Sequence, residues 1–165
     1  MLAMKILGFA VLFFVVVAAV LLAAGQLGLL KGAVPKDLGV REGRLKPPST
    51  TPNSVSSQAD LYPNHPQRDY ARIEPLRFTG DADKAMETLE GILRNRDRTV
   101  VVTREPGYIY ARSTTPLLRF TDDMEFWLDR PASVIQVRSS SRLGRKDFQV
   151  NRQRIEAIRV QFTRN

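Results

Sequence analysis

DDMEFWLDRPASVIQVRS, residues 122–139, is the stretch whose reading decides the fold. It alternates apolar and polar residues on both sides of a turn at Arg130 to Ser133, the period-two pattern of two strands that each bury one face. If Asp129 faces Val134, then Leu128 faces Ile135, Phe126 faces Val137 and Glu125 faces Arg138, and all the apolar residues share one face. A slip of one residue would turn half of them into water, so the pleat fixes the register of an antiparallel hairpin. Glu125 and Arg138 then form a cross-strand ion pair on the other face. Trp127 lies on that face too, either exposed or covered by chain from upstream.

Outward from the hairpin, TVVVTREPGYIYARS (99–113) sets two β-branched or aromatic runs around Pro106 and Gly107, the composition of strand, turn and strand. DADKAMETLEGILRNR (81–96) places Ala82, Ala85, Met86, Leu89, Ile92 and Leu93 along one helix face, with Asp81 or Thr79 as cap. YARIEPLRF (70–78) reads as a short edge strand, because Pro75 lacks an N–H to give a sheet. DFQVNRQRIEAIRVQF (147–162) reads as a closing helix striped by Phe148, Ile155, Ile158 and Phe162, with Asp147 placed to cap it. The order β-α-β-β-β-β-α makes the fold class α+β: an antiparallel sheet of about five strands with two helices on one face.

Ahead of this domain, assigned to residues 69–165, residues 31–68 read as a linker rich in proline, and residues 1–30 as a membrane anchor or uncleaved signal. Ile6 to Ala24 holds no charge, and a hydrocarbon layer of about 30 Å needs roughly 20 helical residues. The run exceeds the 7 to 15 residues or so of a signal-peptide core, which favours retention as a single-pass segment. Two rules disagree on orientation. Lys31, Lys36, Arg41, Arg44 and Lys46 after the span would hold the domain in the cytosol, whereas a short tail before an apolar run is the form of a signal anchor. The expectation set here is an extracytoplasmic domain. No cysteine is present, which excludes disulfides and thiolate metal sites.

RSTTPLLRFTDDMEFWLD (112–129) and VIQVRSSSRLGRKDFQVNRQRIEAIR (134–159) resemble the signature of the domain of unknown function family 1499. The matching positions are Phe120, Asp122, Asp123, Glu125 and Phe126, followed by Arg138, Ser139, Ser141, Arg142, Gly144, Asp147, Asn151, Arg152 and Arg154. Where the family often carries a cysteine-flanked C-P-N-C-V-S-S run, this chain has Thr51, Pro52, Asn53, Ser54, Val55, Ser56 and Ser57. The resemblance implies frequent membrane anchoring and no particular activity.

Residues 138–152, RSSSRLGRKDFQVNR, admit two readings. As a strand-to-helix loop, Arg138, Ser141, Arg142, Gly144, Arg145, Lys146, Asn151 and Arg152 could cradle a phosphate or carboxylate at a helix start. As an internal polar network, Asp147 caps the helix, Arg138 pairs with Glu125, and Arg152 and Arg154 pair with Asp122 or Asp123. Asp122, Asp123 and Glu125 cluster oxygen ligands but lack the glycine-bearing loop of a calcium site, so no metal is expected. His65 is the single histidine and sits in the proline-rich YPNHPQ, with no nucleophile elbow or zinc motif, so no catalytic residue and no cofactor is assigned. The net charge of +8 comes without a nucleic-acid motif and points instead to anionic lipid head groups or a protein partner at a membrane.

Overall fold

The structure is a computed structural model that describes residues 2–164. Its centre is the hairpin of β5 (Thr121–Asp129) and β6 (Val134–Ser141), in the register that pairs Asp129 with Val134, Leu128 with Ile135, Phe126 with Val137 and Glu125 with Arg138. β3 (Thr99–Glu105) and β4 (Tyr108–Thr114) form the second hairpin, and β4 continues the sheet beside β5. All pairings between strands are antiparallel, so the class is α+β, with six strands among the described residues in place of about five.

The additional strand is β1 (Ser54–Ser56), which pairs with β6 inside the stretch read as linker. Val55, 1% exposed, joins the core there, and the flanking serines are small enough to be buried. The expected edge strand at 70–78 shrinks to β2 (Leu76–Arg77), also on β6, because Pro75 cannot extend the ladder and Tyr70 and Ala71 end the short helix α2 (Arg68–Ala71). β3 is left as an outer edge, with Val100 and Val102 exposed and a bulge between Val101 and Thr103.

Two helices cover one face. α3 (Ala82–Arg94) starts at Asp81, whose carboxylate accepts from the N–H groups of Asp83 and Lys84, and buries Met86, Leu89 and Leu93. α4 (Val150–Phe162) buries Ile155, Ile158 and Phe162. Both pack on Ile109, Met124, Phe126, Ile135 and Val137, the residues that strand alternation sends to that side. Phe148 does not join the stripe. Its φ is 51° and its side chain is 82% exposed, because the chain enters α4 through two left-handed residues, Phe148 and Gln149. Asp147 serves the helix start from further back, accepting from the N–H of Gln149 (3.2 Å) and of Asn151 (3.0 Å).

The opposite face is covered by residues 33–49, which run over it as an irregular strap. Gly39 N–H donates to Glu125 Oε1 at 2.7 Å, Arg138 Nε donates to the Pro47 carbonyl at 3.4 Å, and Leu45 is 2% exposed. A side chain at Gly43 would meet the ring of Trp127, so the tryptophan is partly covered by the strap. The folded unit therefore includes much of residues 31–68 and does not begin at residue 69.

Further upstream lies α1 (Leu2–Gln26), whose stretch Met4–Gln26 is long and apolar enough to cross a membrane. Its last turn rests on the loop between β4 and β5: Gln26 Nε2 donates to the Leu117 carbonyl at 3.2 Å. Gly25 lies so close to Leu118 that an added Cβ would sit 2.6 Å from its carbonyl oxygen. Only glycine fits that approach.

Phe126 is fully buried where both helices meet the sheet. Phe126→Ala is expected to cost about 3–5 kcal/mol. Urea unfolding of the detergent-solubilised chain, followed through its single tryptophan, measures the loss.

Candidate functional site

Alternation along β5 sends Asp122 toward the helices and Asp123 and Glu125 toward the strap. A buried carboxylate is tolerated only with a partner, and each of the three has its own arginine. Asp122 accepts from Arg154 of α4 at 2.6 Å. Asp123 is gripped by Arg142 at 2.7 Å and also accepts from the Tyr110 hydroxyl at 2.6 Å. Glu125 Oε2 lies 3.4 Å from Arg138 Nη1, and its Oε1 accepts from the Tyr108 hydroxyl at 2.9 Å as well as from Gly39. The three carboxylates thus face guanidinium groups and lie on two sides of the sheet, an arrangement that gives a cation no common centre.

Burial and the carboxylate beside each push the Tyr108 and Tyr110 hydroxyls above the ordinary tyrosine value, Tyr110 to about 12. The Y-I-Y-A order of β4 places both tyrosines on the carboxylate side, opposite Ile109 and Ala111, so this pairing could have been read from the alternation.

On the helix side the hub is Asn151, which is fully buried. Its Nδ2 donates to the Asn53 carbonyl, to Ser141 Oγ and to Asp147 Oδ2, while its Oδ1 accepts from Ser139 Oγ and Arg154. One side chain thereby ties α4 to β6 and to the residue just before β1. Asp147 also accepts from the Tyr70 hydroxyl.

The eight residues of the supposed anion cradle do not converge on one point. The N–H donors at the start of α4 are taken by Asp147, Arg142 by Asp123, and Asn151 by the hub. Arg152 donates to the carbonyls of Tyr70 and Arg72 instead of to a carboxylate of β5. Gly144 takes φ = 89° and accepts from Asn53 Nδ2, and Arg145 and Lys146 are exposed. His65 accepts from the Gln67 N–H within its own turn.

What the structure does place together is a cavity of about 270 Å³ between strap and sheet, lined by Lys46, Asn53, Asp123, Arg138, Ser140 and Arg142 among others. Arg138 is 3% exposed, and both of its side-chain contacts, to Glu125 and the Pro47 carbonyl, are 3.4 Å long. Burial pushes its guanidinium below the usual arginine range, against the pull of Glu125 and Asp123. Asn53 Oδ1 is buried with no hydrogen-bond donor among the described residues.

Residues 44–162 match the model of a family described as a protein of unknown function (DUF1499). The chain belongs to this family. No curated protein and no solved structure matches it. The DUF1499 match opens inside the strap, two residues before Lys46, and closes at the end of α4, so it takes in the sheet wall of the cavity and Lys46 and Ser49 of the strap wall, with Ala33 and Pro35 outside it. Neither Asn53 nor Lys46 is marked as a site residue in the sequence, because the irregular chain before β1 has no periodicity to show which side chains turn inward.

Arg154→Ala leaves Asp122 buried without its cation and is expected to cost about 3–5 kcal/mol, most of it recovered in Asp122→Leu/Arg154→Leu. Urea titration of the two variants decides this. A raised tyrosine pKa stabilises the fold below pH 10 and is lost as pH rises through the folded value, so stability falls between about pH 10 and 12. Unfolding curves across that range should show a smaller fall for Tyr110→Phe.

Proposed function

We propose that the chain is a membrane-held, non-catalytic binding module whose cavity beneath the strap takes a small anion, with the domain on the extracytoplasmic side. Arg138 carries the reading: a buried guanidinium with five donors and two long contacts has donors to spare, and it borders a half-open polar space. Ser140, whose hydroxyl makes no hydrogen bond among the described residues, adds a donor to that space. Asn53 Oδ1 adds an acceptor, so the preferred ligand pairs a carboxylate or phosphate with a hydroxyl of its own. Asp123 lies on the same wall but is already held by Arg142 and Tyr110. α1 supports the attachment, since its exposed apolar surface is matched to a bilayer.

Two measurements test the reading. In membranes of a bacterial expression host, the chain should resist alkaline carbonate extraction, and protease added outside spheroplasts should digest the domain. Inorganic phosphate, glycerol phosphate and lactate are then added to the detergent-solubilised chain. The best of them at a hundredfold excess over its Kd should raise the unfolding temperature by about 5–10 °C. Ser140→Ala should bind that probe more weakly without losing stability; no response to any probe, or an unchanged Ser140→Ala, contradicts the cavity reading.

A further inference from the structure

A second cluster of cations lies away from the strap. Between the end of α3, the end of β4 and the first turn of α4 is a crevice of about 240 Å³, lined by Arg96, Arg98, Arg154, Ser113, Thr114 and Val150 among others. Arg154 is committed to Asp122 and Asn151. Arg96 and Arg98 have no side-chain partner among the described residues, and Asp97 between them pairs with neither. Arg96 is half-buried in this state, its guanidinium held below the ordinary arginine range by burial and by the Arg154 cation. The Ser113 and Thr114 side chains on the same wall also lack partners among the described residues. Two unneutralised guanidinium groups beside free hydroxyls are a donor set for phosphate oxygens.

The position of the crevice says where that phosphate comes from. Its wall continues through Thr115 and Pro116 into Leu117 and Leu118, the residues on which the last turn of α1 rests. The charge-free run Ile6 to Ala24 is about 28 Å long at 1.5 Å per residue, which matches a hydrocarbon core of about 30 Å. Gly25 and Gln26 therefore lie at the level of the head groups, and so does the loop they touch. The chain after α1 stays at that level, because Leu29 N–H returns to the Ala24 carbonyl and Lys31 N–H to the Gly28 carbonyl. Around this end, Leu117 is 69% and Phe148 82% exposed, which suits the boundary between head groups and acyl chains.

We propose that the crevice of Arg96 and Arg98 seats the phosphate of an anionic lipid head group at the surface of the bilayer crossed by α1. The idea rests on the membrane attachment described above but not on the strap cavity. Lateral lipid binding at this end fixes the tilt of the domain against the bilayer, with Leu117 and Phe148 dipping beside the bound lipid.

The test uses the full chain in detergent, titrated with dihexanoyl phosphatidylglycerol, dihexanoyl phosphatidylcholine and inorganic phosphate, with binding read by native mass spectrometry. The phosphatidylglycerol should bind at least about tenfold more tightly than the other two, and Arg96→Gln/Arg98→Gln should remove about tenfold of that affinity. Ser140→Ala should leave it unchanged. Because Arg96 is half-buried beside another cation, Arg96→Gln should melt no lower than the parent chain, which separates lost binding from lost folding. Equal affinity for the two lipids, or undiminished binding by the double variant, overturns the proposal. So does inorganic phosphate that binds as tightly as the lipid and displaces it, since the crevice would then be a free-anion site. A chain released by carbonate refutes the membrane attachment; a retained chain whose crevice does not discriminate refutes only the lipid site.

Discussion

Two adjacent carboxylates, Asp122 and Asp123, begin the central strand, and the pleat drives them to opposite sides of the sheet. Neither side can leave a carboxylate bare, so each face must bring its own cation. The helix side answers with Arg154, which is correctly placed only when α4 docks, and the docking is fixed by the hydrogen bonds of Asn151 to the residue just before β1, to β6 and to the α4 start. The strap side answers with Arg142 for Asp123 and Arg138 for Glu125, and the strap closes over them through Gly39 and Pro47. Both layers outside the sheet are thus positioned by one strand's alternation.

That alternation is why the middle of the molecule was legible. β5 and β6 announce their register because one slip would expose Phe126, Leu128, Ile135 and Val137, and α3 announces itself by a stripe ending in Leu89 and Leu93. The strap and β1 were illegible for the opposite reason. Their residues are held by backbone groups and a few polar side chains such as Gln58 and Asn53, which leave no period in the sequence. Phe148 was misread because an apolar residue at helical spacing was taken to be helical, while the chain there passes through left-handed conformations. The partner of Asp123 was missed because Arg142 lies just past the end of β6, where strand pairing no longer predicts neighbours.

Cations in this basic chain fall into groups that composition cannot separate. Arg138, Arg142 and Arg154 are interior groups that neutralise buried carboxylates. Arg152 and Arg159 bind carbonyl oxygens and fasten α4 to α2 and to the segment between α2 and β2. The three buried pairs are neutral as units, so the field that an outside partner would feel comes from the other charges. Because each buried arginine is matched by a buried carboxylate, the whole net charge of +8 is carried by the remaining residues.

The irregularity in β3 bears on how the free edge of the sheet meets another copy. Its outer side offers unpaired backbone groups and two exposed valines, the features by which one copy could add its strand to another. With an extra residue at Val102, two residues of β3 oppose one of β4, and the outward hydrogen-bonding groups no longer keep an even repeat. A neighbouring chain could match only part of that edge at once, which works against two copies pairing through β3.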